Sequence, residues 1–166
     1  MSEIRKFSLV YDAREDRIAW DAEDQDGATT RLWLTQRMCR ALVGAILPLL
    51  QSATAPALEP LRQSAVQSWE QAAAVAGLGK VPGVRLRPGA VVGLVHAARM
   101  RRGAQGLSLT FDFTPAGSRT VTLSLTAVRQ MLTVLCRLYG TAGWPADLWP
   151  PWIADPDAAS GADALN

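Results

Sequence analysis

The chain contains few of the side chains that enzymes and metal sites use. It has one histidine and two cysteines among 166 residues. So few nitrogen and sulfur ligands argue against a zinc site, a disulfide scaffold and histidine-rich catalysis. We find neither a phosphate-binding glycine loop nor a nucleophile elbow, and we interpret the lone His96 as structural, with a general base as the alternative. We therefore expect no enzyme activity, no catalytic residue, no cofactor and no metal.

Lysine and long apolar runs are also scarce. Only Lys6 and Lys80 are lysines among the 17 basic residues. The longest apolar stretch covers residues 41–50 and is interrupted by Pro48, whereas a membrane span needs about 20 apolar residues. The N-terminal residues show neither an apolar core nor a cleavage motif of a secretory signal. These absences predict a cytoplasmic protein without a membrane partner.

The composition is otherwise that of a folded domain. Apolar residues make up 49% of the chain and charged residues 19%, with a net charge of +2. This balance predicts a chain that buries a core and stays in solution. We expect one α+β domain over residues 1–140 and a tryptophan- and proline-rich tail over 141–166 with an acidic, flexible end.

Alternating apolar and polar residues predict the strands. The first half contains three such runs separated by charged turns, which is typical of an antiparallel meander. The second half contains four runs. In one of them, Ala90–Met100, apolar residues on both faces predict a deeply buried strand. The predicted strands are Phe7–Tyr11, Ile18–Trp20, Thr29–Leu34, Val84–Arg87, Ala90–Met100, Leu107–Phe113 and Thr120–Leu125.

Helical spacing of apolar residues predicts three helices. Thr35 is the expected N-cap of the first, and Pro48 is expected to kink or end it. Pro60 is expected to begin the second helix. Thr126 is the expected cap of the third, which ends at Gly140 and Gly143. The apolar residues of the second helix are Leu61, Ala65, Val66, Trp69, Ala72 and Ala76.

The two halves of the sequence repeat one pattern. Leu32–Thr35 leads from a strand into an amphipathic helix, and Leu123–Thr126 does the same. Both segments follow a run of antiparallel-looking strands. We therefore predict an antiparallel β-sandwich or open barrel with the order βββ-αα-ββββ-α, a helix pair between the two sets of strands and a C-terminal helix.

Charge is divided between segments of opposite sign. Seven acidic residues lie within Asp12–Asp26, whereas six basic residues and no acid lie within Lys80–Arg102. Three interpretations stay open: solvated surfaces, pairing of opposite charges between subunits, or binding of nucleic-acid phosphates. The candidate residues for an acidic partner or nucleic acid are Lys80, Arg85, Arg87, Arg99, Arg101 and Arg102.

The tail carries three tryptophans and three prolines within nine residues. Proline disfavours regular structure, so we expect an extended segment. Tryptophan is enriched at binding hot spots, but a segment that follows a helix can also fold back on its own core. Both alternatives stay open for Trp144, Trp149 and Trp152 as candidate protein-interface residues.

The predicted order of elements resembles two known architectures. Over Ile4–Gly140 it is similar to the globular head of end-joining scaffold proteins and centriolar cartwheel proteins, which implies a non-catalytic scaffold that self-associates. Those families extend the last helix into a stalk, whereas Gly140, Gly143 and Pro145 interrupt it here. The repeated sheet and helix also resemble Whirly-type proteins, which implies single-stranded nucleic-acid binding.

We therefore expect a protein-interaction or assembly domain, a scaffold or adaptor that forms a homo-oligomer and has protein partners. The alternative is a single-stranded nucleic-acid-binding protein that uses its basic strand pair.

Overall fold

The computed structural model describes residues 2–54, 59–79, 82–104, 106–115 and 117–155. Within these ranges the chain forms six strands and four helices. The strands are β1 (Ser2–Asp12), β2 (Arg17–Asp24), β3 (Thr29–Leu34), β4 (Val91–Gly103), β5 (Gly106–Thr114) and β6 (Gly117–Leu123). The helices are α1 (Gln36–Thr54), α2 (Pro60–Ala76), α3 (Leu125–Ala142) and the single turn α4 (Pro151–Ala154).

The six strands close into a barrel in the order of the sequence. Two antiparallel meanders, β1–β3 and β4–β6, make up most of it. They join through two short parallel contacts, β3 with β4 over Thr30–Trp33 and β1 with β6 at Ser2 and Glu3. The structure confirms the predicted α+β class, with a mostly antiparallel barrel and a helix pair between the two sets of strands.

The two meanders are structural repeats with a constant spacing. Trp20 pairs with Leu32 on β3, and Leu109 pairs with Val121 on β6, so both partners of the second pair lie 89 positions after those of the first. We call residues 17–50 the first repeat and 106–139 the second. Their equivalent buried positions are Ile18 and Leu107, Trp20 and Leu109, Ala22 and Phe111, Leu32 and Val121, Leu34 and Leu123, Cys39 and Val128, Leu42 and Met131, Val43 and Leu132, Ile46 and Leu135, and Leu50 and Tyr139.

Equivalent hydroxyl groups cap the helix of each repeat. The backbone N–H of Met38 donates to Thr35 Oγ1, and that of Ala127 donates to Ser124 Oγ, both over 3.2 Å. The prediction of Thr126 as the cap is therefore wrong. Because β6 ends at Leu123, the extended Ser124 is the residue that can satisfy the free N–H groups of the first turn.

The segment Val84–Arg87, expected as a strand, does not join the sheet. The N–H of Val84 donates to Ser8 Oγ over 3.0 Å, and the N–H of Arg87 donates to Thr29 Oγ1 over 2.9 Å. Side-chain hydroxyls on β1 and β3 thus take the place of a ladder partner. The segment crosses the outside of the first meander on its way from α2 to β4.

Two further expectations differ from the structure. Helix α1 continues through Pro48 to Thr54, where the buried Leu50 fixes the last turn on the core. Strand β4 is less buried than its sequence predicted, because Val91, Val92 and Leu94 remain 36–47% exposed. Its first residues pair with β3 at the barrel seam, where the consecutive residues Val91 and Val92 are both exposed. Among the described helices, none combines the length and the apolar character needed to cross a membrane.

Candidate interaction surface on the second helix

Helix α2 turns its polar side toward the protein. Gln67, Ser68 and Gln71 are between 0 and 5% exposed, and Ala74 is the one apolar residue buried beside them. An amphipathic helix on a domain surface ordinarily buries its apolar side. The reversal requires polar partners in the core, and α3 supplies them.

Arg129 of α3 is the centre of this contact. Its side chain is 3% exposed, and Nη2 donates to Gln67 Oε1 over 2.7 Å and to Glu70 Oε2 over 2.6 Å. Gln71 Nε2 donates in turn to Thr133 Oγ1 over 2.7 Å and to the carbonyl oxygen of Arg129 over 3.0 Å. Burial lowers the pKa of Arg129, and the Glu70 carboxylate opposes that shift. The buried cation is thus paired and hydrogen-bonded, as burial of a charge requires.

The opposite side of α2 is exposed and mostly apolar, with the charged Arg62 at its N-terminal end. Leu61 is 87% and Trp69 73% exposed, and the exposed Ala65 and Ala73 complete a row with a spacing of four residues. Residues four apart are neighbours on a helix surface, and such a row turns by about 40° around the helix at each step. We call Leu61, Ala65, Trp69 and Ala73 the outer stripe. Beside it, between α2 and the start of α3, lies an open depression of about 350 Å³.

The tail tryptophans lie in the core of this chain. Trp144, Trp149 and Trp152 are 4–7% exposed, so the structure shows the fold-back alternative. Tyr139 packs edge-to-face on Trp144 and on Trp149, at 5.1 and 5.2 Å between ring centroids. The tail is not extended throughout as expected, because α4 places Trp152 against Arg129, whose guanidinium lies 5.5 Å from the ring centroid.

Two carboxylates fix the tail to the first half of the protein. Trp144 Nε1 donates to Asp16 Oδ1 over 2.9 Å, and the Tyr11 hydroxyl donates to the same oxygen over 2.8 Å. These hydrogen bonds lower the pKa of Asp16. Arg40 of α1 donates to the Asp147 carboxylate through Nη1 and Nη2, and this pairing lowers the pKa of that carboxyl. The predicted acidic end beyond Asp155 lies outside the described residues.

The structure separates the predicted basic residues. Arg99 and Arg101 share the outer face of β4, whereas Arg102 lies at the strand end near Leu107 and Val128. The exposed Arg85 and Arg87 belong to the segment that crosses the first meander, and Lys80 lies outside the described residues. The six residues therefore do not form the single patch that their proximity in sequence implied.

Beside Arg99 and Arg101 lies a face rich in hydroxyl groups. Ser108 and Thr122 are 3.1 Å apart across β5 and β6, and Thr110 and Thr120 are 2.9 Å apart. Arg99 Nη2 binds Asp112 Oδ1 over 3.0 Å. The arginines and this face border a shallow depression of about 470 Å³.

Arginines of the same chain pair with three of the seven acidic residues in Asp12–Asp26. Arg31 binds both carboxylate oxygens of the buried Asp21 at 2.7 Å, which fixes the ion pair in two-point geometry. Arg5 pairs with Glu23, and Arg17 pairs with Glu15. These pairs leave less acidic charge for a basic surface of a second subunit than the sequence implied.

His96 lies on β4, and the two cysteines lie on α1 and α3. His96 is the extra residue at an irregularity between Val95 and Ala97, and it borders a depression whose other lining is apolar apart from Arg99. Burial raises the pKa of Cys39 to about 12, which keeps its thiol protonated at neutral pH. Within the described ranges, histidine, cysteine and acidic side chains form no group of three that could hold a metal ion.

A second apolar row crosses the barrel wall, with both ends exposed and the buried Ala19 between them. Val10 pairs with Ala19, Ala19 with Trp33, and Trp33 with Leu94, so the row follows the register across four strands. Val10 is 52% exposed and Leu94 36%. Arg31 stacks beside this row, 5.2 Å from the Trp33 ring centroid. The row is less exposed than the outer stripe of α2.

The chain was compared with protein families, with curated proteins and with solved structures, and none of them matches it. The site therefore has to be interpreted from its own chemistry. Sequence reasoning identified Leu61 and Trp69 only as apolar residues of the second helix. The one sequence feature that indicates a polar partner for α3 is Arg129, a charged residue among the buried apolar positions of that helix.

Proposed function

We propose that this chain is a non-catalytic protein-interaction domain that self-associates through the outer stripe of α2. The observation that carries the proposal is the reversed orientation of α2, with Gln67 and Gln71 buried and Leu61 and Trp69 exposed. Burying a large apolar side chain stabilises by about 1.5–3 kcal/mol, so an exposed pair favours a partner.

Rotating α2 so that its apolar side faces the core would be unfavourable. Turning Trp69 toward the core would remove Gln67, Glu70 and Gln71 from Arg129. Leaving a buried charge without partners costs about 3–5 kcal/mol, which exceeds the gain from burying one indole. A partner molecule can cover the outer stripe without breaking this contact.

Size-exclusion chromatography with light scattering tests the proposal. We expect the mass to rise with protein concentration in the wild type. Trp69→Lys should hold the protein monomeric, since a charge replaces the largest exposed ring. Val10→Lys is the matched control, because Val10 is an exposed apolar residue outside α2. A wild-type protein that stays monomeric at every concentration would refute self-association.

Single-stranded nucleic-acid binding is the second candidate. Arg99 and Arg101 on one open face with the hydroxyls of β5 and β6 favour it, because phosphates accept from both groups. The described residues of that face include no aromatic ring on which a base could stack, which favours the first candidate.

Oligonucleotide binding near 50 mM salt, followed by a salt titration, tests this second candidate. We expect Arg101→Gln to weaken binding and to reduce its salt dependence. Arg85→Gln, on the segment outside the other meander, is the control. Failure of the wild type to bind at low salt would exclude the candidate.

A further inference from the structure

The outer stripe of α2 alternates between large and small side chains. Leu61 and Trp69 are large, Ala65 and Ala73 are small, and consecutive members lie four residues apart. At a rise of 1.5 Å per residue, neighbours along the stripe are about 6 Å apart. From N- to C-terminus the order of sizes is large, small, large, small. When a second stripe runs in the opposite direction, each large residue therefore lies opposite a small one.

We infer that the partner is a second copy of this chain, bound with the two α2 helices antiparallel. This inference rests on the proposed function and names the arrangement of its interface. In the register that it requires, Trp69 packs on Ala65 of the second copy, and Leu61 packs on Ala73 of the second copy. A two-fold axis between the helices makes each contact occur twice.

A parallel arrangement lacks this complementarity. It would place Trp69 on Trp69 and Ala65 on Ala65, so that the large rings hold the helices apart where the small residues meet. Gaps of that kind forfeit contacts that a close-packed interface makes. The antiparallel register instead seats each large side chain over an alanine.

The surface next to the outer stripe is also compatible with this antiparallel register. The depression beside Ala73 is lined by Ala74 and Leu125 as well as by Glu70, Thr126 and Arg129, and its apolar part lies open to Leu61 of the second copy. The four members of the stripe carry no charge.

Arg62 lies on the same exposed side of α2 as the stripe, and like charges on this side lie far apart or are neutralised. In this register the two Arg62 side chains start about 15 Å apart along the helix axis, beyond the screening length of about 8 Å at physiological salt. Glu70 is neutralised by Arg129 of its own chain. Charge repulsion therefore does not oppose the pairing of two copies.

One helix pair forms a small interface. Interfaces at the low end of the size range are typical of transient association. We therefore expect a weak dimer whose population depends on protein concentration.

Exchanging the large and small residues tests the register. Sedimentation equilibrium should show that Ala65→Trp weakens the dimer at least tenfold, because the introduced indole meets Trp69 of the second copy. Trp69→Ala should weaken it to a similar degree by removing the main contact. The double variant Ala65→Trp/Trp69→Ala restores a large residue opposite a small one, and its dissociation constant should return to within about threefold of the wild type.

The outcomes separate the register from self-association itself. Tighter dimerisation of Ala65→Trp, or a double variant no better than its parents, would overturn the antiparallel register while leaving self-association intact. A monomeric wild type would refute the proposed function instead. Since both positions are exposed, the urea midpoints of the variants should match the wild type.

Cross-linking gives a second readout. Leu61→Cys/Ala73→Cys should form an intermolecular disulfide under mild oxidation, whereas either single substitution should not. Cross-linking of the Leu61→Cys single variant at equal yield would contradict the register.

Discussion

The helices α1 and α3 occupy equivalent places in the two repeats, and each carries an arginine at the same position. Arg40 binds Asp147 with its side chain 49% exposed, whereas Arg129 binds Glu70 with its side chain 3% exposed. Arg40 thus holds the short tail and Arg129 holds the long helix α2. The repeated positions share a core, but the segments that follow the repeats differ in length and chemistry.

Both covering segments also reach from one half of the chain to the other. Helix α2 follows the first repeat but packs on α3 of the second. The tail follows the second repeat but binds Arg40 of α1 and Asp16 of the first half. These contacts tie the two halves together. Only the covering helix of the second repeat has an apolar side left over, and that difference is what leads us to assign the interaction surface to α2.

The largest effect is expected from the aromatic contact between the tail and Tyr139 of the second repeat. Trp149→Ala should reduce the free energy of unfolding by about 4 kcal/mol, because the ring is 7% exposed and its removal leaves a cavity beside Tyr139. Urea denaturation followed by circular dichroism measures this. A loss under about 1 kcal/mol would show that the tail does not contribute to the core.

The second prediction compares the equivalent arginines. Arg129→Met should cost about 3 kcal/mol, since Glu70, Gln67 and Gln71 lose their partner. Arg40→Met should cost less than about 1 kcal/mol, because its ion pair is exposed to solvent. Equal losses in urea denaturation would contradict the difference between the two environments.

The third prediction tests the equivalence of the repeats. Thr35→Ala and Ser124→Ala should each cost about 1 kcal/mol, because each removes the cap of a corresponding helix. The control Thr126→Ala should change the urea midpoint little, since Thr126 is exposed and lies within the first turn of α3. A large effect at Thr126 together with none at Ser124 would show that the cap of α3 lies two residues beyond the position equivalent to Thr35.

The fourth prediction concerns acid and has the smallest effect. The hydrogen bonds from Trp144 and Tyr11 lower the pKa of folded Asp16, so the unfolded chain takes up the proton at the higher pH. The stabilisation is present above about pH 4, the ordinary value of an aspartate, and is lost as pH falls through the lower folded value.

Asp16→Asn checks this dependence on pH. Its urea midpoint should fall less than that of the wild type between pH 7 and pH 3, because an amide oxygen accepts the same bonds without titrating. If the urea midpoints of the two proteins fall equally with pH, Asp16 does not contribute to the loss of stability in acid.

Local patterns in the sequence predicted much of the fold. Thr29–Leu34 forms the predicted strand with the same bounds, and Pro60 begins α2 as expected. Both depend on short-range rules, the alternation of a strand and the fixed φ of proline. The cap at Ser124 was missed because its choice depends on where β6 ends.

The candidate site depended on contacts between distant residues. Helical spacing grouped Leu61 with Trp69 but did not determine which face would meet α3. That face is chosen by Arg129, which lies 59 residues from Glu70 and 62 from Gln67 in sequence. A single buried cation outweighs the apolar pattern of the whole helix, because leaving it unpaired costs more than exposing an indole.

Sedimentation velocity of the wild type and of Trp69→Lys over a hundredfold range of concentration tests the central claim most directly. We predict that the weight-average sedimentation coefficient rises with concentration for the wild type and for the Val10→Lys control, and stays at the monomer value for Trp69→Lys. A coefficient that is independent of concentration in all three proteins would contradict self-association through α2. An equal rise in all three would place the interface elsewhere.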